Sequence, residues 1–214
     1  MPLTKHGTQQ LLFYGSWLVM LGGYLWWVWP PLVAIPGVLF VFLLSFFRDP
    51  PRAVPGGPEV AVAPADGKVV DIGEIDEPHF IGGRALRIGI YLSIFNVHVN
   101  RAPLDGEVKL RHYKPGKYLD VRDPACEKEN EANLIGFEGA RGPFAVRQVA
   151  GLVARAIVCP VEPGDKVARG DRMGMIRFGS RTELLLPVDS DVTVECKIGD
   201  VVKGASSILL RYNS

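Results

Sequence analysis

With 214 residues and a formal net charge of +1, the chain has room for one modest globular domain plus an appendage. Its scattered basic residues leave no electrostatic footprint for nucleic acid, so no nucleic-acid partner is expected. Cys126, Cys159 and Cys196 are odd in number and show no C-x-x-C spacing, which argues against a disulfide framework or metal site and suits a reducing compartment.

The first 47 residues are apolar in an unusual degree. Between Lys5 and Arg48 there is no Asp, Glu, Lys or Arg. Two runs, Leu11 to Trp29 and Leu32 to Phe47, are separated by Pro30-Pro31. As helices they would span roughly 28 and 24 Å, near the ~30 Å of a bilayer core. The proline pair interrupts a helix, so a helical hairpin over residues 1–47 is predicted rather than one long span. Both runs are apolar all round, which favours lipid over a soluble core. Lys5, Arg48 and Arg52 flank the hairpin and place both of its ends on the cytoplasmic side of a cell (inner) membrane. Trp17, Tyr24, Trp26, Trp27 and Trp29 would supply interfacial aromatics. A cleaved signal peptide is disfavoured because a second apolar run follows at once.

Residues 48–58 are dense in proline and glycine and read as a stiff linker. From residue 59 to 214 brief β-branched runs alternate with turn residues every 8–12 positions, the pattern of a small sandwich or barrel. Predicted strands include Lys68–Ile72, Leu86–Leu92, Gly106–Tyr113, Asn133–Glu138, Pro143–Val149, Val153–Val158, Met173–Phe178, Thr182–Leu186, Val192–Lys197 and Ser207–Leu210. The fold class is therefore mainly β behind a hydrophobic helical hairpin. Two internal echoes run through this region. Pro64-Ala-Asp-Gly-Lys-Val, Pro103-Leu-Asp-Gly-Glu-Val and Pro187-Val-Asp-Ser-Asp-Val share a turn-to-strand frame, and Gly164-Asp-Lys-Val-Ala-Arg-Gly resembles Gly199-Asp-Val-Val-Lys-Gly. Gly-Asp-x-Val turns of this kind are typical of biotinyl and lipoyl carrier sandwiches, a carrier-like barrel-sandwich hybrid. The lysine hairpin that bears the carrier's payload is missing.

Chemistry centres on Gly179-Ser180, near the end of the chain and between two apolar runs. Gly-Ser is a common turn, but in such a place it can break its own backbone. The Ser180 hydroxyl attacks the Gly179 carbonyl, forming an ester whose elimination then leads to a pyruvoyl group on the new N-terminus. A serine hydroxyl needs a base, most often a histidine oriented by a carboxylate. His6 neighbours the apolar segment, His79 lies in a polar loop, and His112 alternates along a strand. His98 follows an apolar strand directly, where scaffolds present reactive groups. Asp66 precedes a glycine in a frame that recurs twice, so a plain turn role is the stronger reading of that residue taken alone. Arg84, Arg87, Arg101 and Arg181 are open candidates for an anionic ligand.

The motifs carry more weight together than singly. The N-terminal anchor, Phe46-Phe-Arg-Asp-Pro, Pro64-Ala-Asp-Gly, Asn96-Val-His-Val-Asn-Arg-Ala-Pro, Tyr113-Lys-Pro-Gly-Lys, Glu129-Asn-Glu, Gly151-Leu-Val-Ala-Arg and Phe178-Gly-Ser-Arg occur in that order. The series resembles the phosphatidylserine decarboxylase proenzymes in their short bacterial and archaeal form, over nearly the whole chain. The resemblance implies self-cleavage between Gly179 and Ser180, giving a membrane-bound β subunit of residues 1–179 and an α subunit of residues 180–214 headed by a pyruvoyl cofactor derived from Ser180. It implies that Asp66 and His98 act with Ser180 as a triad in maturation. It further implies a phospholipid substrate in the membrane, decarboxylated through a Schiff base on the pyruvoyl ketone, and an α/β heterodimer open to further oligomerisation. Longer members carry Leu-Gly-Ser-Thr where this chain has Phe-Gly-Ser-Arg. Two alternatives stand beside this reading: decarboxylation of an archaetidylserine-type lipid, and a non-enzymatic membrane-tethered carrier or adaptor.

Overall fold

The apolar N-terminal run is helical, as its composition demands. In the computed structural model, which describes residues 2–4, 7–120, 126–151, 157–176 and 180–213, helix α1 covers Thr8–Val28. Trp29 turns extended, a 3-10 turn at Pro30–Val33 follows, and helix α2 runs over Ala34–Phe46. The break falls at the proline pair, where a ring replaces the N–H that a continuing helix would need. Helix α1 is long and apolar enough to cross a membrane by length and composition, whereas α2 is shorter. The aromatic ring of Phe40 approaches to 3.3 Å from where a Cβ on Gly15 would sit, so that glycine lets the helices meet closely. Thr4 N–H donates to Phe47 O (2.9 Å) and Asp49 N–H to Pro2 O (2.8 Å), tying the two ends of the hairpin side by side. This hairpin belongs to one compact unit, Met1–Pro51; a second spans Arg52–Ser214.

The second unit is built of strands. In chain order they are β1 (Val60–Val62), β2 (Gly67–Glu77), β3 (Gly83–Leu92), β4 (Val99–Arg101), β5 (Gly106–Lys114), β6 (Ala132–Gly139) and β7 (Gly142–Ala150). Then follow β8 (Ile157–Val158), β9 (Lys166–Val167), β10 (Arg172–Ile176), β11 (Ser180–Pro187), β12 (Val192–Val194), β13 (Val201–Val202) and β14 (Ile208–Tyr212). Among the described residues the chief layer is an eight-stranded sheet in the order β13-β2-β3-β11-β7-β6-β5-β9, with three-stranded sheets β1-β14-β12 and β4-β10-β8 beside it. The mainly-β expectation holds, and the large sheet curls into a half-barrel.

Strand β11 lies in the middle of that sheet and is buried on both faces. Leu184 and Leu186 join Ile88, Ile90, Phe137 and Val146 in the main core, while Leu185 packs on the other face with Ala85, Leu134 and Ala145. Such two-sided burial explains why Leu184–Leu186 reads as a continuous apolar run instead of an alternating one. Several strands extend past their sequence limits. Strand β2 reaches Glu77 because its acidic residues find cross-strand partners, Asp71 pairing with Arg87 at 2.5 Å and Glu74 with Arg84. Strand β11 begins at Ser180 itself, not after it. Of the predicted strand at Val153–Val158 only its last two positions are among the described residues, and residues 177 and 178 of Met173–Phe178 also lie outside them.

The two sequence echoes form a repeated device. Gly164 and Gly199 take φ of 100° and 103°, a left-handed conformation that glycine adopts without strain. Gly164 N–H donates to Val108 O and Val108 N–H to Asp165 O, both at 2.8 Å. Gly199 N–H and Val69 O (2.8 Å), with Val69 N–H and Asp200 O (2.9 Å), repeat the arrangement. The turns lead into β9 and β13, the two edges of the large sheet. Each acceptor strand is one opened by a Pro-x-Asp-Gly turn, so the two halves of the unit are built alike. Residues 52–58 run along this unit: Arg169 donates to the carbonyls of Pro55 (2.9 Å), Val60 (2.8 Å) and Gly57.

Candidate active site

Ser180 opens β11 between two neighbours, facing Leu92 of β3 and Ala150 of β7. It is fully buried, and its Oγ has no hydrogen-bond partner among the described residues. A buried hydroxyl left without a bond costs about 1–3 kcal/mol, so a purely structural serine at this place would be a poor choice. Gly179, the other side of the expected cleavage bond, lies outside the described residues, as does His6.

His98 is also fully buried and immediately precedes β4. Its Nε2 stands 3.1 Å from Ser93 O. A carbonyl only accepts, so Nε2 carries the proton in the neutral ring and the lone pair sits on Nδ1. The ring is held by a short turn: Asn96 Oδ1 accepts from Ser93 N–H (2.9 Å) and Ser93 Oγ (2.8 Å). Backbone pairing sets His98 beside β10, because Ile176 donates its N–H to His98 O at 3.3 Å. A turn therefore separates β3 from His98, which heads the next strand instead of ending the previous one.

Asp66 divides its two oxygens. Oδ2 receives Arg52 Nη2 at 2.6 Å, and Oδ1 receives the Gly204 N–H at 2.8 Å. The second bond has a counterpart at Asp105, whose Oδ1 accepts from Arg169 N–H at 2.7 Å in the matching turn. The turn role expected of Asp66 is thus real. The segment also lies against the histidine strand, since Arg101 N–H donates to Pro64 O at 2.9 Å.

Beneath these residues runs a chain of buried amides that sequence reasoning missed. Asn133 Nδ2 donates to Gln148 Oε1 (2.9 Å), Gln148 Nε2 to Asn100 Oδ1 (2.8 Å), and Asn100 Nδ2 to Thr182 Oγ1 (3.0 Å). All four side chains are essentially inaccessible. Asn100 and Thr182 each stand two residues beyond His98 and Ser180, on the same strand faces, and this spacing was the available signal.

The remaining candidates fall elsewhere. His79 and His112 stack on each other at 4.4 Å, on the Leu185 side of the sheet. Arg87 and Arg181 are paired with Asp71, Arg84 is exposed beside Glu74, and Arg101 donates to Gly170 O at 3.0 Å. Arg101, three positions beyond His98, is the arginine of this group on the histidine strand. Burial pushes the thiols of Cys159 and Cys196 up, away from nucleophilic character at neutral pH. Among the described residues no cluster of three His, Cys, Asp or Glu side chains could hold a metal.

The second unit is thus mainly β, with a buried serine opening its central strand and a buried histidine just before β4. The family profile of phosphatidylserine decarboxylase matches residues 39–210. The chain is 40% identical over 190 residues to a phosphatidylserine decarboxylase proenzyme of Nitrosomonas europaea, spanning 87% of this chain and 84% of the relative. It is 46% identical over 172 residues to that of Citrifermentans bemidjiense (80% and 75%), and 40% identical over 217 residues to that of Rhodopirellula baltica (99% and 89%). The chain belongs to the phosphatidylserine decarboxylase family, and an enzyme family replaces the carrier alternative.

Proposed function

We propose that the chain is a self-processing proenzyme that decarboxylates phosphatidylserine to phosphatidylethanolamine at a membrane. The observation that carries this reading is the Ser180 hydroxyl, fully buried with no hydrogen-bond partner among the described residues, at the first position of the central strand. His98 is the base that takes its proton, through the Nδ1 lone pair that the Ser93 carbonyl dictates. Asp66 holds the neighbouring turn in place. The hydroxyl oxygen adds to the Gly179 carbonyl, and the Gly179–Ser180 amide opens to an ester. Loss of the Ser180 Cα proton, with the ester carboxylate as leaving group, releases residues 1–179 and leaves a dehydroalanine. Its imine tautomer takes up water and gives off ammonia. Residues 180–214 are left with a pyruvoyl group in place of the serine.

The unpartnered Oγ fits that fate, since converting it removes no hydrogen bond that the described fold uses. Once formed, the group supplies a carbonyl electrophile for the substrate amine and an electron sink for the departing CO₂. The residues around it bury the reacting carboxylate in a dry place, where the charged form is less favoured than neutral CO₂. The hairpin of residues 1–47 holds the enzyme to the membrane with both ends on the cytoplasmic side. Its neighbouring termini and the flanking Arg48 and Arg52 support that side.

Intact-mass analysis of the purified wild-type chain tests the proposal. Two pieces, split ahead of residue 180 with the smaller one carrying a ketone at its N-terminus, are expected. Ser180→Ala should remain one full-length chain without decarboxylase activity; full activity in that variant would overturn the reading.

A further inference from the structure

The large sheet has one end rich in exposed apolar side chains with a net basic balance and one end with a net acidic balance, and Ser180 lies at the first. Cross-strand register sets a single row through Val201, Lys68, Tyr91, Arg181, Val149, Ala132 and Lys114, one residue from Ser180. Three loops leave the sheet beside this row: residues 93–97, 115–119 and 197–200. They and the adjoining strand ends carry Ile94, Phe95, Tyr113, Tyr118, Ile198 and Val201, all exposed, with Phe95 at 71%, Ile198 at 63% and Val201 at 78%. Beyond these six, the exposed large apolar side chains among described residues 52–213 are Val54 and Val188.

Charge follows the same division. Lys68, Lys114, Lys117 and Lys197 are exposed at the Ser180 end, with Lys117 sharing its charge with Glu129. Asp200 is the exposed acid of the 197–200 loop there. The opposite end, reached by β2, β6 and the turn after β11, exposes Asp76, Glu138, Asp189 and Asp191 beside Arg84 and Arg141. The balance is therefore basic at the Ser180 end and acidic at the other. Apolar tips interleaved with lysines are the composition of a surface that sits in an anionic lipid interface.

We propose that the Ser180 end of the β unit docks on an anionic bilayer surface, burying Phe95, Ile198 and Val201 in the interface. This rests on the reading of the substrate as a membrane phospholipid. Docking here brings the end of the sheet at which Ser180 starts β11 to the headgroups, without drawing the lipid far out of the bilayer. The turn that bears Phe95 is the one that holds His98 through Ser93, so the docked loop and the catalytic ring form one braced piece. An apolar side chain that leaves water in this way is worth about tenfold or more in affinity.

The test uses the full chain reconstituted in phosphatidylcholine vesicles containing phosphatidylglycerol. An environment-sensitive fluorescent amino acid is placed at position 95 or, as a control, at position 188. Bromolipids should quench the probe at 95 and leave that at 188 bright. Equal quenching at both positions, or none at either, overturns the proposal. A signal at 95 that tracks protein concentration instead of bromolipid assigns the rim to a second copy of the chain and overturns it too. Independently, Ile198→Ser with Val201→Ser should lower the ratio of turnover on vesicle phosphatidylserine to turnover on monomeric short-chain phosphatidylserine about tenfold. An unchanged ratio counts against docking. A wild-type chain that decarboxylates neither form defeats the substrate reading, while the quenching result still decides the docking.

Discussion

Asp66 and Asp105 each give Oδ1 to a backbone N–H of the turn that follows a Gly-Asp-x-Val segment, and they differ in what else they hold. Asp66 is largely buried and also binds Arg52; Asp105 is exposed. The second aspartate therefore serves as an internal control for the first. Asp66→Ala should cost about 1–3 kcal/mol of stability through lost charge-assisted bonds, and Asp105→Ala about 1 kcal/mol or less. If Asp66 also supports maturation through the His98 strand, Asp66→Ala should slow appearance of the 180–214 fragment at least tenfold, and Asp105→Ala should not. A mass-spectrometric time course decides this. Equal slowing in both variants would reduce Asp66 to its turn. The residues alone favoured the turn role, because a Pro-x-Asp-Gly turn looks the same whether or not a histidine strand runs beside it.

At the scale of elements, the amide chain fastens strands that are distant in sequence. Asn133 on β6, Gln148 on β7, Asn100 on β4 and Thr182 on β11 join the large sheet to the layer that bears His98. Low local dielectric makes such a chain strong when complete and costly when broken. Thr182→Val keeps the shape but orphans an Asn100 donor in a dry core. Denaturant titration should show a loss of about 1–3 kcal/mol. Adding Asn100→Leu should cost less than the sum of the two single changes, because both partners then vanish together. A neutral Thr182→Val would mean the Asn100 amide has another acceptor. These contacts were hidden from sequence reading because polar residues in a strand ordinarily mark its wet face. The apolar runs, the proline break at Pro30-Pro31 and the paired Gly-Asp-x-Val turns were legible, since each is a local rule about backbone or solvent. The short strands β1, β4, β9 and β13 were not: two or three residues carry no period, and pairing with a remote strand is what makes them extended.

For the whole molecule, the proposed cut falls at the first residue of the most enclosed strand, with consequences for what happens afterwards. Residues 180–214 would contribute β11 between β3 and β7, and β14 between β1 and β12. They would keep Leu184, Leu185, Leu186, Leu209 and Leu210 wholly buried, and Gly204 on Asp66. Those five leucines contribute about 1.5–3 kcal/mol each, on top of the ladders β11 makes with β3 and β7. The amides, leucines and turn all lie across the two pieces rather than within the smaller one. The matured chains should therefore co-elute through gel filtration under native conditions, even after dilution. They should part only in denaturant, in the same transition that unfolds the sheet, when fragment release and loss of β signal are followed together. Release of the small chain from a still-folded sheet would show that β11 is held less firmly than its position implies. It would also mean that cleavage loosens the strand carrying the reactive residue, which the two-sided burial of β11 opposes.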